Sequence, residues 1–117
     1  MKQIEIIIPH ERLSKVNEIL YKHNVGGIMF YEIKGRGKAK REAPVITNGY
    51  HYGEKYGPEF GSRTMVDVMV SDSSSKQIVD EIIRNLSTGN DSDGKIFVKD
   101  VSEVYDIGLR QQGELAL

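Results

Sequence analysis

The sequence predicts an α+β fold, a ferredoxin-like sandwich of βαββαβ order, on three observations. Ile4, Ile6 and Ile8 near the start, and Val66, Val68 and Val70 in mid-chain, recur at the period of two that marks a half-buried strand. His10 to His23 and Ser74 to Leu86 carry apolar residues at helical spacing. The length, 117 residues, suits one hydrophobic core and is too short for two, so residues 1–117 are read as a single domain.

Each element follows from its residues. Residues 2–8 form a strand with one aliphatic face, ended by Pro9. Leu13, Val16, Ile19 and Leu20 then define the apolar face of a first helix, and Asn24-Val25-Gly26-Gly27 breaks it. Ile28 to Ile33 is rich in bulky residues on both faces, the pattern of an inner strand. Residues 34–61 hold six of the twelve glycines and two of the three prolines, among many charges, so they form a long loop of the kind that is usually functional or disordered. Arg63 to Val70 restores the alternation as a third strand. Asp72 to Ser75 supplies N-cap candidates, with Ser74 and Gln77 spaced as a capping box, and Ile78, Val79, Ile82, Ile83 and Leu86 make the stripe of a second helix. After a polar turn over Ser87 to Gly94, Lys95-Ile96-Phe97-Val98 opens a fourth strand expected to extend past Val101 to Ile107. This order puts both helices on one sheet face and leaves the other to be covered, most simply by oligomerisation.

Composition excludes several classes of function. Sixteen basic residues against 17 acidic ones give a formal charge of -1, which offers no general field for a nucleic-acid backbone. The absence of Cys removes disulfides, thiolate metal sites and thiol nucleophiles. The charged and apolar residues of Met1 to Glu5 do not resemble a signal peptide, and no stretch reaches membrane-spanning length, so a soluble cytoplasmic protein is expected. The three histidines are dispersed and none sits at the spacing of helical metal ligands, so no metal site is expected.

Glu32-Ile33-Lys34-Gly35-Arg36-Gly37 before the long loop, and Thr88-Gly89 followed by Asp93-Gly94-Lys95-Ile96-Phe97-Val98 after the second helix, resemble the corresponding segments of the PII signal-transduction proteins. The resemblance spans essentially the whole chain. In its terms, the T-loop covers about 36–62, the B-loop about 87–94, and the C-terminal strand and tail about 95–117. It implies a homotrimer of PII type whose inter-subunit clefts bind AMP, ADP or ATP, with magnesium as a possible companion. It further implies a T-loop that engages a target such as an ammonium transporter or a metabolic enzyme.

Position by position, Ile7, Gly35, Gly37, Asp67, Thr88, Gly89, Asp93, Gly94 and Lys95 stand where the family lines its cleft, with Asp67 replacing the usual Glu. The chemistry agrees with that placement. Gly35 and Gly37 at the loop root, and Gly89 and Gly94 in the turn, permit φ > 0 and close backbone approach to a phosphate chain. The Lys95 ammonium adds a charge-assisted contact.

Departures from the family pattern carry equal weight. A Gln that holds 2-oxoglutarate with magnesium and ATP in the family is here Ala39, which has no donor or acceptor. Two phosphate-contacting arginines of the last strand are replaced by Asp106 and Gly108. Arg36, Lys38 and Arg110 are the cations available to substitute, and AMP or ADP is expected to be favoured over ATP. The long loop carries Tyr50, His51, Tyr52, Lys55 and Tyr56, a candidate partner-binding set, but none of its tyrosines sits in the family's modifiable context.

The leading reading is a nucleotide-sensing regulator without catalytic residues. Its nearest alternative is a conventional nitrogen regulator that binds ATP, magnesium and 2-oxoglutarate and controls an ammonium transporter. An enzyme on this fold lacks a recognisable nucleophile, and an RNA-binding module lacks strand aromatics of the RNP type. A metal-tolerance trimer is disfavoured by the missing Cys.

Overall fold

Ile4, Ile6 and Ile8 all point to one side of strand β1 (Lys2–Ile8) and are essentially inaccessible to solvent. This computed structural model describes residues 1–38 and 60–117. Val66, Val68 and Val70 of β3 (Gly61–Val70) lie on the same side of the sheet, because β1 and β3 pair antiparallel with Ile6 opposite Val66 and Ile4 opposite Val68. Against these six side chains pack Val16, Ile19 and Leu20 of α1 (Leu13–Lys22) and Ile78, Ile82 and Leu86 of α2 (Asp72–Leu86). Burial of such a contiguous aliphatic layer is the main stabilising term of the domain.

With β2 (Met29–Gly35) and β4 (Lys95–Asp100) the sheet has the order β2-β3-β1-β4, all neighbours antiparallel. This is the expected ferredoxin-like arrangement.

Five local expectations are corrected. β2 is an edge strand, not an inner one, and Met29, Phe30 and Tyr31 are about half exposed in the protomer at 55%, 57% and 49%. Bulk on both faces thus records something other than burial within this chain. The first helical segment opens as a separate 3₁₀ turn, His10–Arg12, before α1 begins. In α2 the cap is Ser71, in extended conformation, whose carbonyl accepts from Ser74 and Ser75 N–H; Ser74 lies inside the first turn, so the Ser74–Gln77 capping box does not form. Ile83, expected on the apolar stripe, is 52% exposed, while Glu81 is buried.

The fifth correction concerns the C-terminus. β4 stops at Asp100 because its partner β1 ends there, with Lys2 opposite Asp100. The chain then folds into a hairpin of its own, in which Tyr105 bridges Gln112 and Asp106 N–H donates to the Gln111 carbonyl at 2.8 Å.

A buried polar cluster ties the two helices together. Glu81 of α2 accepts from Lys22 Nζ at 2.8 Å and from His23 Nε2, both at the end of α1. These two donors hold the Glu81 carboxyl far below the usual carboxylate range, at about 2.

Candidate nucleotide cleft

One end of the sheet gathers the glycine-rich segments. Lys95 at the start of β4 is opposite Ile7 near the end of β1, and Gly35 at the end of β2 is opposite Gly61 at the start of β3. Strand pairing therefore sets the loop root and the turn before β4 at the same end of the sheet, on its two edges with β3 and β1 between them, although about 60 residues separate Gly35 from Lys95 in sequence.

The turn is built around Asp93. Its carboxylate accepts from the Thr88 N–H at 2.6 Å, the Thr88 hydroxyl at 2.7 Å and the Asn90 N–H at 3.3 Å. Asn90 returns the favour by accepting from the Ser92 N–H at 2.9 Å, which caps the 3₁₀ turn Asp91–Asp93. The Thr88 donors, more than any other group, lower the Asp93 pKa. Thr88 and Asp93 thus shape the turn, their polar atoms bonded to one another.

Gly94 follows with φ 136°, and a Cβ built there would lie 2.1 Å from the Ile7 carbonyl oxygen. Only glycine lets the turn pass that close to β1. Gly89 has φ 84° in open space, which favours glycine for conformation alone. The expectation of a conformational need at Gly35 and Gly37 is corrected: neither has positive φ, and a Cβ on either would meet nothing within 4 Å.

Two recesses meet at this turn. The smaller, about 410 Å³, lies between β4 and α2, and its walls are mostly apolar side chains such as Ile82, Ile83, Leu86 and Val98. The larger is a cleft of about 1130 Å³ on the opposite side of the turn. It joins Ile7, Gly35, Arg36, Gly37 and Lys38 to Gly94 and Lys95, with Phe60 and Phe97 also on its wall. Cations, aromatic surface and backbone come together in this larger cleft, whereas the smaller recess has Lys95 as its sole lining cation among the described residues. A ligand that is flat at one end and anionic at the other matches the larger cleft.

The remaining sequence candidates lie elsewhere in the protomer. Gly89 and Asp93 border the smaller recess. Asp67 sits at mid-sheet on the face without helices, where it accepts from Gln3 Nε2 at 3.0 and 3.1 Å. Arg110 is exposed at the tip of the C-terminal hairpin with φ 57°, and Asp106 there accepts from the Leu109 N–H at 2.8 Å. Ala39, Tyr50, His51, Tyr52, Lys55 and Tyr56 lie outside the described residues.

Several lining residues escaped the sequence reading. Phe97 stands two positions after Lys95 on the same strand face, so alternation alone could have found it. Asp91 and Ser92 carried no such signal, because a polar turn gives no hint of which side chains border a cleft.

The sequence model of the family described as "Nitrogen regulatory protein P-II" matches residues 1–112. The chain belongs to the P-II family of nitrogen regulatory proteins. It is 32% identical over 117 residues, the full length of both chains, to nitrogen regulatory protein P-II of Klebsiella oxytoca. The same identity and coverage relate it to nitrogen regulatory protein P-II 1 of Escherichia coli K12 and to nitrogen regulatory protein P-II of Porphyra purpurea. No helix among the described residues is long and apolar enough to cross a membrane.

Proposed function

We propose that this P-II protein is a cytoplasmic regulator that binds an adenine nucleotide in the large cleft, AMP or ADP in preference to ATP, and signals through the segment between β2 and β3. The observation that carries this reading is the meeting of Arg36, Lys38 and Lys95 with Phe60 and Phe97 at one end of the sheet. The cations offer charge-assisted contacts to phosphate, and the aromatic rings offer a surface for a base. No turnover is required of it.

The cleft opens directly onto the root of the long segment, so a ligand seated there contacts the residues from which that segment departs. A ligand that binds one arrangement of the root better than another shifts the population between them by that difference in affinity. The target is a protein of nitrogen or carbon metabolism, reached through the segment that holds Tyr50, His51, Tyr52, Lys55 and Tyr56. A homotrimer completes the reading. The half-exposed Met29 and Tyr31 of β2 and the exposed Phe97 of β4, on the sheet face without helices, are surfaces that a neighbouring subunit would bury.

Calorimetric titration of AMP, ADP and ATP, each with and without magnesium and 2-oxoglutarate, tests the proposal on material whose mass is known from light scattering. Tighter binding of AMP or ADP by a trimer, indifferent to 2-oxoglutarate, is the expected result. Synergy between ATP and 2-oxoglutarate would establish the conventional nitrogen regulator instead, and no binding would refute the nucleotide site.

A further inference from the structure

The turn that borders the cleft carries two acids with opposite fates. Asp93 spends its charge on the Thr88 and Asn90 donors and borders the smaller recess. Asp91, two residues earlier, borders both recesses and so reaches the large cleft, which Asp93 does not; it is exposed and is in no hydrogen bond or ion pair among the described residues. It shares that wall with Gly94 and Lys95, and Arg36 and Lys38 line the same cleft from the end of β2. The cleft therefore holds a carboxylate with no direct partner among the described residues beside the cations that would receive an anion.

From this juxtaposition we infer that Asp91 is a specificity-determining residue that sets how many phosphate charges the cleft accepts. The inference rests on the reading of the cleft as a nucleotide site and deepens it. Lys95, Arg36 and Lys38 attract an anionic chain of any length, so by themselves they would favour the most highly charged ligand. The Asp91 carboxylate on the same wall opposes that trend and weakens it for the terminal charges. At a separation of ~6–7 Å and a dielectric between interior and bulk water, each additional negative charge loses roughly three- to tenfold in affinity. The loss falls most heavily on uncomplexed ATP, less on ADP and least on AMP. A divalent cation on the phosphates removes most of it, because the cation offsets the charge that Asp91 opposes.

The Asp91 side chain makes no hydrogen bond or ion pair among the described residues, so its replacement is expected to leave the fold intact, with circular dichroism as the control. The test compares the full-length protein with Asp91→Asn and Asp91→Glu by calorimetric titration of AMP, ADP and ATP in EDTA and again in excess magnesium. Asp91→Asn is expected to raise the affinity for ATP in EDTA by about three- to tenfold more than that for AMP, and magnesium is expected to shrink the difference. Asp91→Glu, which keeps the charge, is expected to keep the wild-type ranking. Equal changes for all three nucleotides, or none, would overturn the role of Asp91 while leaving the nucleotide site standing. Absence of adenine-nucleotide binding by the wild-type protein would instead remove the reading on which the inference rests.

Discussion

Gly94 and Ile7 approach so closely that a single methyl group on Gly94 would sit 2.1 Å from the Ile7 carbonyl oxygen. The obstacle is backbone, at the last pair of the β1–β4 ladder, and cannot swing aside as a side chain would. Gly94→Ala is therefore expected to destabilise the protein by about 3 kcal/mol or more, or to force the turn off β1. Gly89→Ala, with positive φ but open surroundings, is expected to cost only about 1 kcal/mol. Urea unfolding of the two variants beside the wild type checks the contrast, and equal losses would contradict it.

The Glu81 cluster makes stability depend on acid. Lys22 and His23 hold the Glu81 carboxyl at about 2, below its ordinary value of 4.5. A carboxyl whose pKa is lower in the folded state stabilises that state above the unfolded pKa and loses the contribution as pH falls through the folded one. Stability is thus expected to decline between about pH 4.5 and pH 2. Asp93 and Asp100, both lowered by their hydrogen-bond donors, act in the same direction. Glu81→Gln is expected to lower the melting temperature at neutral pH and to flatten the acid limb without abolishing it. Thermal melts from pH 2 to pH 7 read both effects.

Lys95 lies in the cleft with no hydrogen bond or ion pair among the described residues, so its removal costs the fold little. Lys95→Ala is expected to weaken ADP binding on the order of tenfold, the cost of one charge-assisted contact, and to lessen its salt dependence. Calorimetry at two ionic strengths measures both, with circular dichroism as the control for folding.

Asp93→Ala removes the acceptor that binds three donors of the turn at once. Weaker ADP binding on the order of tenfold is expected, because the backbone between Thr88 and Gly94 loses its fixed course. Titration beside Lys95→Ala separates the two causes. Loss of turn order also speeds amide exchange over residues 88–94, which loss of the Lys95 charge leaves unchanged.

Period-two alternation made β1 and β3 legible, since Ile4, Ile6, Ile8, Val66, Val68 and Val70 are the very residues that the helices bury. The same rule misplaced β2. Its bulky residues read as an inner strand, yet position in a sheet follows from pairing order, which a single segment does not encode. Capping was misread at Ser74 because four candidate caps stood in a row, and the extended backbone of Ser71 selected another. In the cleft, the motifs located Gly94 and Lys95, but Phe60 and Asp91 reach its wall only through tertiary placement. The Glu81 cluster was invisible for the same reason, its members being 58 and 59 residues apart.

The central claim, that a nucleotide joins the β2 root to the turn before β4, is tested most directly by hydrogen exchange read by mass spectrometry with and without ADP. Slower exchange confined to peptides covering residues 35–38 and 89–95, with helix α2 unchanged, is the predicted result. Protection along α2 and the β4 edge, where the smaller recess lies, or no protection at all, would contradict it.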